Sequence, residues 1–195
     1  MQFVNAGTVL QRVNARGRFA LFPINAVLSI GRTLHDGRTT EVGLVGSEGM
    51  CGVDVILETA PQFGDVTVQS AGFVYSMPAE DLRHQFEGTG RLQKSLLRCT
   101  YALLDQVATN AVCGRYHAVA QRVARWLLMV DDRGGSIVAT KAPGMLGSAL
   151  GADDDEIENV LSKLVESGAV AHKRSAIAIR RETLEASACE CYESV

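Results

Sequence analysis

The sequence has 195 residues, of which 47% are hydrophobic, 21% are charged and 6% are aromatic. This composition is typical of a folded chain with one large or two small domains, and it excludes wholesale disorder. No apolar run approaches the roughly 18 residues of a membrane-spanning helix, and residues 1–5 lack the basic start and apolar run of a signal peptide. We therefore expect a cytoplasmic protein without membrane contact.

The formal net charge is −3, from 19 basic and 22 acidic residues. Neither half of the chain, divided at Cys113, carries a basic excess. Nucleic-acid-binding modules often show such an excess, so any contact with DNA has to come from local basic patches.

The chain up to Pro78 has the pattern of β structure. Short apolar runs at residues 20–22, 27–30, 41–45 and 66–68 are separated by turn signals. Asp36-Gly37 predicts a tight hairpin, because glycine accepts the positive φ of such turns. The spacing of the later glycines suits bulges and corners of a curled sheet, and these glycines are Gly43, Gly46, Gly49 and Gly52. We predict an antiparallel β-roll.

Helical patterns follow Pro78. The proline and the two carboxylates Glu80 and Asp81 favour the start of a helix. Residues 90–113 then predict a long helix, with leucines at helical spacing and no glycine or proline after residue 90. Such a helix packs on its own domain or pairs with a second copy of the chain, and spacing alone does not decide between these. We favour pairing, through Leu92, Leu96, Leu103 and Val107.

The C-terminal part has the layout of a winged helix-turn-helix. A helix predicted at residues 117–132 is followed by the tract 140–150 and by an amphipathic segment at 153–166. Two short strands at 169–171 and 177–179 then flank a basic tip at His172, Lys173 and Arg174. The tract 142–147 is predicted to be a poor first helix, because its proline and glycines disfavour a helix interior.

Several motifs together resemble those of one bacterial family. They are Leu21-Phe22-Pro23 with Ser29, Asp36-Gly37-Arg38, residues 41–50, 121–129 and 146–164, and the ending Cys189-Glu190-Cys191-Tyr192. These segments resemble the Crp/Fnr family of transcription regulators. The resemblance implies an α+β fold with a cyclic-nucleotide-binding-like β-roll that senses an effector (residues 1–88), a dimerisation helix (89–113) and a winged helix-turn-helix domain (114–195). It also implies a homodimer that binds DNA, and relative to the family the N-terminus is short.

The effector site departs from the family pattern. Family members that bind cyclic nucleotides use a glutamate for the ribose and an arginine for the phosphate, and the matching positions here are Gly49-Met50-Cys51 and Gly64-Asp65-Val66. Both functional side chains are absent, and Asp65 would repel a phosphate. We expect an unidentified small-molecule effector other than a cyclic nucleotide, with Gly49, Met50, Cys51, Gly64 and Asp65 as pocket candidates.

The predicted recognition helix also departs from the family pattern, since residues 153–158 contain five carboxylates. Asp153 and Glu156 suit a capping box, which explains one or two of them. Carboxylates oppose the phosphate contacts on which DNA affinity depends. The candidate DNA-binding residues are Asp154, Asp155, Glu156, Asn159, Lys163, Lys173 and Arg174, and further basic candidates are Lys141, Arg180 and Arg181.

The remaining candidates for chemistry are weak. Cys189 and Cys191 supply two of the four ligands of a tetrahedral metal site, and Cys51, Cys99 and Cys113 are distant in sequence. The four histidines show no paired spacing. We predict no metal, no cofactor and no catalytic site, and therefore do not expect an enzyme. The resemblance implies a DNA-binding transcription regulator. The alternative is a regulator that has lost direct DNA binding and acts through protein contacts or heterodimerisation.

Overall fold

The computed structural model describes residues 1–13, 19–57, 59, 64–88, 90–135, 137–138, 142–173 and 176–194. Within these residues, helices combine with antiparallel sheets. The predicted α+β fold class is confirmed.

Two antiparallel sheets form the N-terminal roll. Its strands are β1 (Gln2–Val4), β2 (Val9–Gln11), β3 (Phe19–Pro23), β4 (Val27–Thr33), β5 (Thr39–Val45), β6 (Asp65–Ser70) and β7 (Gly72–Pro78). One sheet has the order β1-β7-β3 and the other has the order β2-β6-β4-β5. Alternate residues of β6 are buried, as expected for a strand with one face on a core. The second sheet has β2 at one edge and β5 at the other, and β5 is the edge that contacts the helical part of the chain.

The hairpin between β4 and β5 forms at the predicted place. Gly37 has φ +87°, which only glycine adopts without strain, and the Arg38 N–H donates to Asp36 Oδ1 at 3.1 Å. The pairing register shifts between Ile30 and Gly31, so β5 carries a bulge next to Gly43. A Cβ on Gly43 would lie 2.7 Å from Leu103 Cδ1. The bulge therefore brings the sheet into close contact with the long helix.

Two short helices complete the roll. The first, α1 (Val53–Leu57), begins directly after Gly52, and its residues Val55 and Ile56 are buried. The second, α2 (Ala79–Glu87), starts after Pro78 as predicted.

Gly72 lies where two backbone segments nearly touch. A Cβ at this position would lie 2.6 Å from Ala26 N and 2.7 Å from the Asn25 carbonyl, and backbone atoms cannot move aside cheaply. We expect Gly72→Ala to lower the free energy of unfolding by about 2 kcal/mol, measured by urea denaturation. Gly114→Ala is the control, because nothing lies within 4 Å of the added methyl group, and alanine in a helix is favoured by up to about 1 kcal/mol. Equal midpoints for Gly72→Ala and wild type would contradict this close approach.

The C-terminal part contains the remaining elements. They are α3 (Arg91–Tyr116), α4 (Val119–Asp132), β8 (Ile137–Val138), α5 (Ala142–Leu150), α6 (Asp154–Glu166), β9 (Val170–Lys173), β10 (Ala176–Ile179), α7 (Arg181–Glu185) and a 3-10 turn (Glu190–Tyr192). The three strands form one antiparallel sheet in the order β8-β10-β9. The helix α3 runs three residues beyond its predicted end at residue 113.

The tract predicted to be a poor helix is a regular helix, α5, so that prediction is wrong. Pro143 lies in its first turn, where the missing N–H and the fixed φ do no harm. Leu146 and Ala149 are buried, and this packing outweighs weak intrinsic propensity. Gly147 allows close approach of the next helix, since a Cβ there would overlap the Asp154 carboxylate.

The roll and the C-terminal part share one apolar core. Val27 of β4 and Leu44 of β5 pack in the same cluster as Trp126, Leu127 and other buried side chains of α4. The relative position of the two parts is thus fixed by direct contact as well as by α3. None of the helices in the described part of the chain combines the length and the apolar character needed to cross a bilayer.

Candidate nucleic-acid interface and effector site

The helix α6 buries one stripe and exposes the acidic residues. Ile157, Val160 and Leu164 face the core at the predicted positions. The predicted DNA-contacting residues on this helix are all exposed, namely Asp154, Asp155, Glu156, Asn159 and Lys163. The structure therefore presents a carboxylate-rich helix start, with Lys163 in the last turn as the only basic residue of the helix.

The predicted capping box at the start of α6 does not form. Asp153 occupies the N-cap position with extended backbone, but its side chain makes no capping hydrogen bond. The neighbouring Asp154 carboxylate lies against Gly147 of α5 instead. The carboxylates of the first turn thus stabilise the helix through its dipole, and Asp155 and Glu156 remain free of packing roles at the surface.

The basic candidates of the wing are only partly described. Lys173, at the end of β9, is exposed and lies opposite Ala176 of β10. Arg180, just after β10, is also exposed. Arg174 and Lys141 lie outside the described residues. Lys173 and Arg180 are thus exposed cations of the described wing, and they stand at opposite ends of its hairpin.

Arg181 is exposed, but its guanidinium is held by carboxylates. Its guanidinium contacts Asp131 at 3.2 Å, Asp132 at 2.6 Å and Glu185 at 2.8 Å, and it also donates to Tyr192 Oη. The hydrogen bond to Asp132 raises the pKa of Arg181 above its ordinary value. This basic candidate joins α4, α7 and the C-terminal turn, so its charge is already compensated.

A half-buried glutamate joins the roll to the C-terminal part. Trp126 Nε1 of α4 donates to Glu41 Oε1 of β5 at 2.8 Å, and Gln69 Nε2 donates to Glu41 Oε2 at 3.3 Å. Burial raises the pKa of Glu41 to about 7, against the opposing effects of hydrogen bonds from Ser29, Trp126 and Gln69. Sequence reasoning missed this contact, because a glutamate in an alternating strand is ordinarily solvent-facing.

The edge of β5 is covered by amide side chains of α3. Gln106 is buried, accepts from the Leu44 N–H and donates to the Leu44 carbonyl at 3.2 Å. Asn110 Nδ2 donates to the Val42 carbonyl at 3.0 Å. These bonds satisfy backbone groups that an edge strand otherwise leaves open. They also attach α3 firmly to its own roll.

One of the two predicted effector segments lines a cavity. Gly49 and Met50 border a space of about 180 Å³ between the end of β5 and α3, with Leu103 and Gln106 on its far wall. Cys51 is buried instead and exchanges both backbone hydrogen bonds with Leu21. This volume is below the roughly 300–1,000 Å³ of most ligand pockets, so only a very small ligand fits.

The second segment, at the start of β6, has other partners. A Cβ on Gly64 would collide with the Gly31 carbonyl, so only glycine fits at that position. Asp65 accepts a hydrogen bond from the Val13 N–H at 2.6 Å and lies 3.9 Å from the Arg12 guanidinium. The Asp65 carboxylate thus has a role in holding β6 to the segment after β2.

The predicted dimer residues lie on both sides of α3. Leu96 is only 3% exposed and packs against the part of the roll that contains α1 and α2. Leu103 packs against the core between the two sheets, and Val107 borders a cleft beside α4. Only Leu92 is exposed, at 39%. Most of the residues named for pairing therefore contact the roll of the same chain.

A different face of α3 is apolar and exposed. Tyr101 is 71% exposed and Leu104 is 63% exposed, and Leu97 and Ala108 continue the same line along the helix. The spacing of 4, 3 and 4 residues is that of a coiled-coil seam. The sequence of α3 contains both this apolar line and the one predicted for pairing. The structure distinguishes them, because the roll covers most residues of the line predicted for pairing.

Four potential metal ligands meet where α3 ends. The side chains of Cys113, His117, Cys189 and Cys191 place their ligand atoms within 4.8 Å of one another. Burial is the main cause that raises the pKa of Cys113 to about 12, and it also raises the pKa of Cys191. The sequence argument dismissed the cysteine pair because two ligands do not complete a site, and the fold supplies the other two.

No family model and no curated protein matches the chain. Solved structures match over nearly the full length. A CRP-family transcriptional regulator from Thermus thermophilus is 15% identical with a TM-score of 0.77, covering 96% of each chain. FixK2 from Bradyrhizobium japonicum is 16% identical with a TM-score of 0.78, again covering 96% of each chain. The c-di-GMP-responsive regulator CLP from Xanthomonas campestris is 15% identical with a TM-score of 0.71, covering 91% of this chain and 92% of that one. The fold expected from the resemblance is confirmed.

Proposed function

We propose that the chain is a DNA-binding transcription regulator of the Crp/Fnr type that acts as a homodimer. The observation that carries this proposal is the winged helix-turn-helix, with α4, α5 and α6 packed on the β8-β10-β9 sheet, joined to a β-roll by one long helix. The proposed division places the sensor at residues 1–88, the dimerisation helix at 89–113 and the DNA-binding domain at 114–195. Regulation, rather than catalysis, is the activity that this arrangement supports.

The dimer is proposed to form through the exposed line on α3. Leu97, Tyr101, Leu104 and Ala108 follow coiled-coil spacing, and the opposite face of the helix is already occupied by the roll. A second copy of this chain is the occupant that such a two-fold seam fits best, because each residue then meets its own kind across the axis. Pairing also places two winged domains side by side, as two-fold DNA sites require.

The effector is proposed to be a small molecule that occupies the cavity beside Gly49 and Met50. The cavity lies between the roll and α3, so a ligand there contacts the sensor and the dimerisation helix together. Of its three charged lining residues, Glu48 and Arg133 pair with each other at 2.8 Å, and the third, Asp105, is a further carboxylate. A cyclic phosphate finds no free cation among the described lining residues, which supports the exclusion of cyclic nucleotides.

A second candidate function is regulation through protein contacts without DNA binding. The exposed carboxylates Asp155 and Glu156 on α6 favour this function, because they oppose a polyanion and suit a basic protein surface. Pairing with a DNA-competent relative through the α3 seam would then supply the DNA contacts.

Fluorescence anisotropy across a salt series distinguishes the two functions. The purified dimer is titrated into a labelled random-sequence duplex pool at low salt and then at increasing salt. Direct binding predicts that log K falls linearly with log salt, with a slope of about −0.9 per phosphate contacted. A folded dimer that does not bind at low salt would contradict the DNA-binding function and support the protein-contact function.

Removing charge from α6 is expected to strengthen DNA binding. The double variant Asp155→Asn/Glu156→Gln removes two exposed carboxylates from the predicted DNA-facing end, and we expect about a tenfold gain in affinity at low salt, measured by anisotropy. The matched control is Glu80→Gln/Asp81→Asn, which removes two exposed carboxylates from the first turn of α2 in the roll. An equal gain in both double variants, or a loss in the α6 variant, would mean that these residues do not repel bound DNA.

A further inference from the structure

Three thiols and one imidazole converge at the end of α3. Cys113 Sγ lies 3.5 Å from Cys189 Sγ, and Cys191 Sγ lies 3.6 Å from His117 Nδ1. All four ligand atoms lie within 4.8 Å of one another. The three cysteines are buried and the histidine is half-buried, so the cluster is closed to solvent on most sides.

These separations fit one tetrahedral ion. Zinc binds thiolate sulfur at about 2.3 Å and imidazole nitrogen at about 2.0–2.1 Å, so the ligand atoms of a tetrahedral site stand roughly 3.4–3.8 Å apart. The two measured separations lie in this range, and small side-chain adjustments bring the others into it. An iron–sulfur cluster places several metal ions between its thiolates and needs a wider cage than 4.8 Å.

The histidine of the cluster also contacts a carboxylate through its second ring nitrogen, as metal-bound histidines usually do. His117 Nε2 lies 3.2 Å from Glu190 Oε2, which leaves Nδ1 directed toward Cys191. A carboxylate on the far ring nitrogen fixes the tautomer and orientation of a ligating imidazole. Cys189-Glu190-Cys191 thus contributes two thiols and the carboxylate from three consecutive residues.

Arg125 supplies the charge balance. Its side chain is 6% exposed, Nε donates to the Cys191 carbonyl at 3.2 Å, and Nη1 donates to Asn110 Oδ1 at 2.8 Å. Nη2 is buried without a hydrogen-bond partner, and no carboxylate pairs with this guanidinium within the described residues. Three thiolates, a neutral imidazole and Zn²⁺ carry one net negative charge, which compensates a buried cation that otherwise has no counterion.

We propose that Cys113, His117, Cys189 and Cys191 bind one Zn²⁺ ion, with Glu190 orienting His117. Binding replaces the three thiol protons, which pass to solvent, and no electron is transferred. The ligands come from the end of α3, the α3–α4 junction and the C-terminal turn, so the ion ties the C-terminus to the junction between the dimerisation helix and the winged domain. The metal site itself does not depend on DNA binding.

The first test is the metal content of the full-length protein. The protein is purified under reducing conditions without chelator and analysed by mass spectrometry for metals and by colorimetry for inorganic sulfide. We expect about one zinc per chain in wild type and in Cys99→Ser, whose thiol lies outside the cluster and donates to the Glu48 carbonyl. Cys189→Ser and Cys191→Ser should lose the zinc. Iron with inorganic sulfide, or a folded wild type that holds no metal after equilibration with zinc, would overturn the proposal.

A second variant keeps the test valid if the cysteine variants unfold. Glu190 is exposed and outside the core, so Glu190→Gln should fold normally. It should weaken zinc affinity by about 10- to 100-fold in competition with a chromophoric chelator. Substitution with Co²⁺ should give the visible absorption of a tetrahedral thiolate site in wild type. Unchanged affinity in Glu190→Gln together with a Co²⁺ spectrum lacking thiolate bands would contradict the assigned ligands.

Discussion

Glu41→Gln is expected to raise the free energy of unfolding by about 3 kcal/mol at pH 8. In the wild type, the half-buried Glu41 lies between the roll and α4, and desolvation of its carboxyl raises the pKa from the ordinary value of 4.5 to about 7. At pH 8 the folded wild type therefore holds a partly desolvated negative charge. Glutamine has no charge to desolvate and retains an oxygen acceptor for the Trp126 N–H.

The sign of the pH dependence follows from the direction of the shift. Because the pKa of Glu41 is higher in the folded state, the folded protein binds more protons between about pH 4.5 and pH 7. The stability of the wild type therefore falls as pH rises through this window, and the loss reaches about 3 kcal/mol above it. Below about pH 4.5 the Glu41 carboxyl is neutral, as the glutamine is at every pH. The difference in the free energy of unfolding between Glu41→Gln and wild type should therefore vanish there.

Urea denaturation at pH 4.5, 6, 7 and 8 measures this difference. Glu158→Gln is the matched control, since it removes one carboxylate from the exposed face of α6. Its effect on stability should stay within about 0.5 kcal/mol. A difference between Glu41→Gln and wild type that is the same at every pH would contradict the raised pKa of Glu41.

Leu104→Glu is expected to convert the proposed dimer to a monomer. Leu104 is 63% exposed at the centre of the proposed seam, so the substitution leaves the fold of one chain intact. In a symmetric dimer it places two carboxylates opposite each other in place of two apolar side chains. We expect the dimer dissociation constant to rise by about 100-fold or more, measured by analytical ultracentrifugation.

Substitutions of two other leucines serve as controls for Leu104→Glu. Leu34→Glu introduces the same charge at a residue that is 58% exposed beyond the end of β4, and it should leave the dimer unchanged. Leu96→Ala should instead destabilise each chain by roughly 2–5 kcal/mol, because Leu96 is buried against the roll. Full dimerisation of Leu104→Glu at the wild-type concentration would place the interface elsewhere.

The parts of the fold that could be predicted depend on local patterns. The hairpin at Asp36-Gly37 has a glycine-specific φ, and the buried stripe of Ile157, Val160 and Leu164 follows the helical period. Both features could therefore be predicted from residues close together in the sequence. The helix α5 was not, because its proline and glycines pointed away from a helix. Tertiary burial of Leu146, and the contact of Gly147 with the next helix, decide its structure.

The candidate sites depended more on distant residues. Cys113 is 76 residues from Cys189, and no spacing rule connects them. Glu41 and Trp126 are 85 residues apart, and their hydrogen bond forms only once the roll meets α4. On α3 the sequence contains two apolar lines, and only the packing of Leu96 and Leu103 against the roll shows which one is covered. The missing information was long-range packing in each case.

Selection of bound sequences from a random duplex pool tests the central proposal most directly. Wild-type protein is incubated with the pool at low salt, and bound duplexes are recovered and sequenced over several rounds. A DNA-binding homodimer predicts enrichment of a two-fold symmetric site with half-sites about one helical turn, roughly 34 Å, apart, and loss of that enrichment in Leu104→Glu. Recovery of no enriched sequence by a folded, dimeric protein would contradict direct recognition of DNA by this chain.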